Sequence, residues 1–373
     1  MSTILLCGDF APNSKNETDI ANEKVEIIIG YELKDIFEKH DIVGMNLETS
    51  LVRTCTPKKK RGQINQTTPD ICSFLQRAGV SVCFLANNHV IDNGNAGIIS
   101  TIESLDYYGI EHIGAGKSIE EASKSYDYND SNGNVIRILN IANDEFNSVS
   151  EDQYGVNTLD LLSSFYYIRE QKRNAEYLIV VFHGGVEYFQ YPTPMLQRIC
   201  RKMIDSGADL VTCQHSHCIG TYEEYKSGYI FYGQGNFLFD DSNNPLEKTA
   251  VLLSVNTENK IVRIIPISKM GSLVRICNKE QYDDVLQQIN SRNREIQDAK
   301  KVRALFERFV DNQEREVLNA CVGYNKIFKA LNKLTKGRVA KNVFNSNGRM
   351  RLYNMLRSVS LLEIMEEVMS RYE

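Results

Sequence analysis

The stretch TILLCGD, Thr3 to Asp9, sets the reading of the chain. Thr3–Cys7 has the length and residue types of a buried strand, and a carboxylate, Asp9, stands just past its end. The same arrangement returns four times. Ile42–Leu47 ends on Asn46 and Glu48, and Val82–Ala86 is followed by Asn87, Asn88 and His89. Tyr177–Phe182 is followed by His183, and Leu210–Cys213 by His215 and His217.

The segments between these runs have helical signals. Thr68-Pro69 opens one helix that runs to Gly79, and Thr193-Pro194 opens another that closes at Gly207. Asn95–Gly109 has apolar residues at 98, 99, 102 and 105, a helical spacing, with Gly109 to end it. Further strands are expected at Val135–Ile141 and Tyr229–Tyr232, then a hairpin of Thr249–Val255 with Lys260–Ile267. Alternation of strand and helix predicts a layered α/β fold, and the late hairpin means that the sheets are not purely parallel. From about residue 279 the pattern is helical only, which places a domain boundary near 272–280.

In α/β sheets the carboxyl ends of strands converge on a ligand crevice. Five strands here carry carboxylate, amide and imidazole groups to that location. The mixture suits Mn, Fe or Zn, and two such ions can clamp a displacement at phosphorus. Histidine usage agrees: of six His, four (89, 183, 215 and 217) fall in these loops. His40 and His112 follow charged residues near helix ends or turns and are expected at the surface. Cys213 and Cys218 flank the histidine pair, but without a second Cys/His cluster nearby a structural zinc site is disfavoured.

Charge and cysteine usage narrow the class. The net charge is −5. Residues 281–373 hold 17 Lys/Arg and 12 Asp/Glu, so residues 1–280, with 26 and 36, are strongly acidic. That balance argues against nucleic acid as a partner. Nine Cys, none in a C-x-x-C pair and most in apolar runs, predict buried reduced thiols. No secretory signal and no apolar run of about 20 residues is present, so the reading is cytoplasmic, at most peripheral to a membrane. Residues 322–362 carry nine basic and no acidic side chains. They are expected as a helical face whose apolar side packs on the main domain through Leu361–Val368, or as a docking surface for an anionic partner.

The motifs resemble those of the CapA family of capsule and poly-γ-glutamate synthesis proteins, whose fold belongs with the calcineurin-like metallophosphoesterases. The matching blocks are Cys7-Gly8-Asp9-Phe10, Gly44 to Thr49, Ala86 to Gly94, Gly114-Ala115-Gly116, His183 to Tyr188, Gln214 to His217 and Tyr232 to Asp240. The resemblance implies a four-layer sandwich of two β-sheets flanked by helices, placed over 1–275; residues 280–373 show no such match, and the helical pattern alone sets a C-terminal region over 276–373. The resemblance implies two divalent metal ions. Asp9 and His217 would bind the first, Asn88, His183 and His215 the second, and Glu48 would bridge. His89 would be the catalytic histidine, with Asn46, Glu187 and Asn236 in supporting or substrate contacts. Ala11 stands where the superfamily usually has a metal-ligand His, which implies unequal metal affinities. The expected function is hydrolysis of a phosphoester or related bond during synthesis of a surface polymer, on an anionic polymer or phosphorylated substrate, among capsule-assembly proteins. The alternative is a metal-binding assembly component with little or no catalysis.

Overall fold

The computed structural model describes residues 2–13, 16–54, 56–58, 63–143, 148–149, 153–239, 244–321 and 326–343, with positions 348, 350, 352, 353 and 356 beyond them. Residues 1–302 form one compact unit and residues 303–373 another.

The first unit is built on two mixed sheets. The larger runs Leu273–Ile276, Ile261–Met270, Thr249–Asn256, Thr3–Phe10, Ile42–Leu47, Val82–Phe84, Glu111–Ile113, and Asn236–Leu238 also pairs with Thr3–Phe10. The smaller runs Tyr222–Tyr225, Gly228–Phe231, Leu210–Gln214, Tyr177–His183, Val135–Ala142, Tyr126–Asn129. Strands that carry candidate site residues are parallel to their neighbours of that kind. Thr3–Phe10, Ile42–Leu47 and Val82–Phe84 form one parallel run, and Tyr177–His183 and Leu210–Gln214 are parallel in the other sheet. Their carboxyl ends therefore open on common edges. The expected hairpin forms, and a third antiparallel strand, Leu273–Ile276, extends it.

Period-two alternation assigns the layers. Ile4 and Leu6 face inward and share a core with Ile138, Ile179 and Val181 of the smaller sheet. Leu5 and Cys7 point the other way, into a core with Ile28, Leu33, Phe74 and Ile98 from helices Val25–Glu38, Ile71–Ala78 and Gly94–Tyr107. Val180 and Phe182 of the smaller sheet meet Ile168, Leu196, Ile199 and Met203 from helices Ser164–Lys172 and Pro194–Asp205. The order is helix, sheet, sheet, helix: a four-layer α/β sandwich. Cys7, Cys72, Cys83, Cys200, Cys213, Cys218 and Cys277 are free and buried in it.

One expectation fails. His40 is not a surface histidine: it is half-buried, with Nδ1 2.6 Å from the Ile36 carbonyl and Nε2 2.7 Å from Ser254 Oγ. It ties the end of helix Val25–Glu38 to strand Thr249–Asn256, a tertiary contact between residues 214 positions apart that local pattern does not carry. His112 too is half-buried, with Nε2 3.2 Å from Asp106 Oδ1.

In the second unit, helices Lys326–Leu334 and Arg338–Val343 form a hairpin around Asn332, whose side-chain oxygen accepts from the Ala340 backbone N–H at 3.0 Å. The run Leu361–Val368, expected to pack as a helix, lies outside the described residues.

Gly8 decides how the first strand ends. Its pairing with Ile42–Leu47 slips between Cys7 and Asp9, so the strand bulges there. A Cβ at Gly8 would lie 1.9 Å from the Gly235 carbonyl oxygen, which accepts from the Asp9 N–H at 3.3 Å. Only a glycine lets strand Asn236–Leu238 lie in register with Asp9. Gly8→Ala should therefore destabilise the unit by about 1–3 kcal/mol, in the range of overpacked core sites. Urea unfolding checks it, and an unchanged midpoint would show that the Gly235 turn yields freely.

Candidate metal centre

At the carboxyl edge of the larger sheet, Asp9 and Glu48 are buried side by side. Asn46 Nδ2 donates to Asp9 Oδ1 at 2.8 Å and lies 3.4 Å from His183 Nδ1. Asn87 Nδ2 donates to Asn46 Oδ1 at 3.3 Å and to the Leu47 carbonyl at 2.9 Å. Its own Oδ1 accepts the backbone N–H groups of His89 and Val90. Asn87 thus turns the chain so that Asn88 and His89 face the centre.

The smaller sheet supplies the histidines. His183 Nε2 lies 2.9 Å from Asn88 Oδ1 and 3.5 Å from Glu48 Oε1. His215 and His217 leave the strand on left-handed backbone, at φ 85° and 53°. Non-glycine residues adopt that region at a cost, of the order of 1–3 kcal/mol each. The turn brings the two rings to a centroid separation of 6.0 Å and sets His215 5.0 Å from His183. The His215 N–H donates to Asp9 Oδ2 at 3.2 Å. His217 Nδ1 lies 2.8 Å from Asn236 Oδ1 and 3.6 Å from Asp9 Oδ2.

Two triads bring one ligand atom from each member within 4.8 Å of the others: Glu48, His215 and His217, and Asp9, Glu48 and His183. Glu48 is common to both. These groupings divide the ligands differently from the sets implied by family resemblance, although the same residues take part. Asn88 adds an amide oxygen against His183.

The electrostatics suit a cation. Among the described residues neither oxygen of the fully buried Glu48 has a hydrogen-bond partner, a costly condition for a carboxylate unless a positive ion faces it. Burial and then the Asp9 carboxylate hold the Glu48 carboxyl well above the usual range. Burial opposes protonation of His217, but Glu48 and Asp9 outweigh it and lift the ring to about 10. Burial, reinforced by neighbouring histidines, pushes His183 well down and His215 to about 3, which leaves both rings neutral, the form in which an imidazole can bind a metal. The donor set of imidazole, carboxylate and amide oxygen fits Mn, Fe or Zn.

His89 stands beside the triads. Its Nδ1 is 2.7 Å from Asp92 Oδ2, and its Nε2 is 4.0 Å from Glu48 Oε1. Asp92 is held in turn by the Asn65 N–H at 2.7 Å. Asp92 had no role in the sequence reading; its signal was the i+3 spacing from His89. A cavity of about 280 Å³ opens over the site, lined by Asn88, His89, Glu187, His217, Asn236 and Glu247 among others. Glu187 is exposed at its rim. Tyr188 and Phe239 flank the His217 ring at 6.0 and 4.9 Å. Ala11, at the position of the missing histidine, is buried, and its N–H donates to the Leu238 carbonyl at 2.9 Å. Cys213 turns away from the site, with Sγ 3.5 Å from Cys200 Sγ in the outer core.

The profile of the bacterial capsule synthesis protein PGA_cap family matches residues 3–241, which hold all six candidate ligands together with Asn46, Asn87, His89 and Asp92. The chain belongs to that family. It is 29% identical to the capsule biosynthesis protein CapA of Bacillus anthracis over 203 residues, 52% of this chain and 49% of that protein. It is 30% identical to the PGA biosynthesis protein CapA of Bacillus subtilis strain 168 over 212 residues, 56% of each. The chain thus spans about half the length of these curated relatives. Among solved structures it aligns with the 5'-nucleotidase of Candida albicans at a TM-score of 0.43 and 9% identity, over 84% of this chain and 58% of that one.

Mn²⁺ or Zn²⁺ should raise the melting temperature. At 100 times the dissociation constant, one site adds about 2.7 kcal/mol. Glu48→Gln should keep or raise the metal-free melting temperature, since it removes a buried carboxylate, and should abolish most of the metal-induced rise. An undiminished rise in that variant would remove Glu48 from the ligand set.

Proposed function

We propose that this chain is a metal-dependent hydrolase of phosphoester or related bonds that acts in synthesis of a bacterial capsule or surface polymer. The observation that carries the reading is the His89–Asp92 pair set against Glu48, the residue common to both triads. Family membership supports the capsular setting. Names of relatives, such as the probable polyglutamine synthesis accessory protein of Mycobacterium tuberculosis, point the same way.

In this reading Asp9, Glu48, Asn88, His183, His215 and His217 hold two divalent ions. Such ions supply Lewis-acid stabilisation of charge that develops on phosphoryl oxygens. Side chains do the rest. Asp92 keeps the proton of neutral His89 on Nδ1 and stabilises the ring when it is doubly protonated. His89 Nε2 then faces the cavity and can pass a proton to a leaving oxygen. Asn236 holds His217 through Nδ1 and leaves Nε2 for a ligand; Asn46 orients Asp9. Glu187 contacts substrate at the rim. An anionic polymer or a phosphorylated precursor is the proposed substrate, and capsule-assembly proteins are the proposed partners. Among the described residues no helix is long and apolar enough to cross a membrane.

Ala11 favours a second reading, a metal-binding assembly component with little turnover, because it leaves the first ion one ligand short. Metal titration should therefore show two unequal sites, and two equal tight sites would contradict this account of Ala11.

His89→Ala should retain the metal-induced rise in melting temperature while kcat on the best phosphomono- or diester falls by ~10²–10⁴. Loss of the metal response would make His89 a ligand instead. Wild-type protein that binds metal yet turns over no ester in a broad panel would favour the assembly component.

A further inference from the structure

The His215–Gly220 segment holds two residues on left-handed backbone, and such conformations persist only where their surroundings over-determine them. One side of the segment is held within the family-matched residues. Gly220 N–H donates to the Gly233 carbonyl at 2.9 Å, Ile219 forms an antiparallel bridge with Gln234, and two residues on Asn236 meets His217. The other side is held by Gln190, within them, and by a helix from outside them. Helix Lys279–Glu295 starts 38 residues after the matched segment ends, so no family motif describes it.

That helix is firmly seated. A capping box of Asn278 and Gln281 starts it, and Val285 and Ile289 enter the core between the sheets. Its last turn delivers Arg292, which is 8% exposed. Arg292 Nη2 donates to the carbonyls of Ile219 at 3.1 Å and Gly220 at 3.3 Å. Gln190 Nε2 also reaches the Ile219 carbonyl, at 3.4 Å. Asn293 Oδ1 accepts from the Tyr222 N–H at 2.7 Å, just beyond. Among the described residues Arg292 makes no ion pair, and its Nε has no partner. Glu295 acts on the guanidinium only at a distance, and a buried guanidinium with no carboxylate in contact is costly, so packing alone does not account for it. An apolar side chain would fill the space at lower cost, but could not bind two successive carbonyls two and three residues after His217.

We propose that Arg292 is a positioning residue for the metal centre: it clamps the strained His215–His217 turn through the Ile219 and Gly220 carbonyls, which makes the helix after the family segment part of the site. The inference rests on the reading that His215 and His217 bind metal.

Calorimetric titration of the full chain with Mn²⁺ and with Zn²⁺ tests it, alongside metal-free melting curves. Arg292→Met should weaken metal binding by ~10–100-fold, the usual effect of losing a partner that orients a ligand. Arg292→Lys, which keeps one donor and the charge, should recover part of that loss. Ile289→Val, on the same helix but in the core, should lower the melting temperature and leave the dissociation constants within twofold. Arg292 variants that melt earlier yet bind metal as the wild type does would reduce Arg292 to a fold anchor and overturn the proposal alone. If Arg292→Met does not fold, Arg292→Lys decides: wild-type affinity with the lower melting temperature overturns the clamp. Wild-type protein that binds neither ion overturns the metal reading and the clamp together.

Discussion

The carboxylate of Glu48 is fully buried, neither of its oxygens accepts a hydrogen bond among the described residues, and Asp9, His183, His215 and His217 crowd around it. A folded chain tolerates such a group only by neutralising it or by facing it with positive charge. Much of the nearby structure follows from that constraint. The strands that deliver Asp9 and Glu48 are parallel neighbours, so both carboxylates leave the sheet at one edge. The smaller sheet turns its own parallel edge to the same place and answers two carboxylates with three imidazoles.

Bringing these groups together demands unusual backbone. Gly8 gives up its side chain so that the Gly235 turn can approach, which puts Asn236 where it can hold His217. His215 and His217 take left-handed conformations that a regular strand end would not require. The local backbone cost is borne by the core between the sheets and the core behind the larger one. Their alternating residues, Ile4 and Leu6 against Leu5 and Cys7, leave little freedom to relax. The site is strained because the scaffold around it is not.

Much of this was legible in the amino-acid sequence, for a definable reason. Strand, turn and polar terminus are adjacent in the chain, so Asp9, Glu48, Asn88, His89, His183, His215 and His217 each announced themselves next to an apolar run. Glycine and threonine-proline signals placed three helices to within a few residues, as Gly79 at φ 85° and the Thr193 cap illustrate. What pattern could not reach was pairing between distant residues. His40 looked like a surface residue because its partner, Ser254, is 214 positions away. Arg292 looked like one charge among many on a polar helix, because what it binds is main chain 72 and 73 positions earlier. Asp92 was visible as a residue, yet its role needed the ring geometry of His89.

The boundary between family and extension is therefore a boundary of recognisable motif and not of structure. The matched residues 3–241 contain every candidate ligand, yet they leave strand Thr3–Phe10 without its antiparallel neighbour, Thr249–Asn256. That neighbour extends the sheet and its inner face with Val251, Leu253 and Val255, which sit in the same core as Ile4 and Leu6. Such residues can vary freely among apolar types as long as volume and alternation hold, so they leave no motif. Site residues cannot vary in that way, because chemistry fixes their atoms. The family match ends at residue 241, while the compact unit runs on to residue 302 through the remaining strands of the larger sheet and helix Lys279–Glu295.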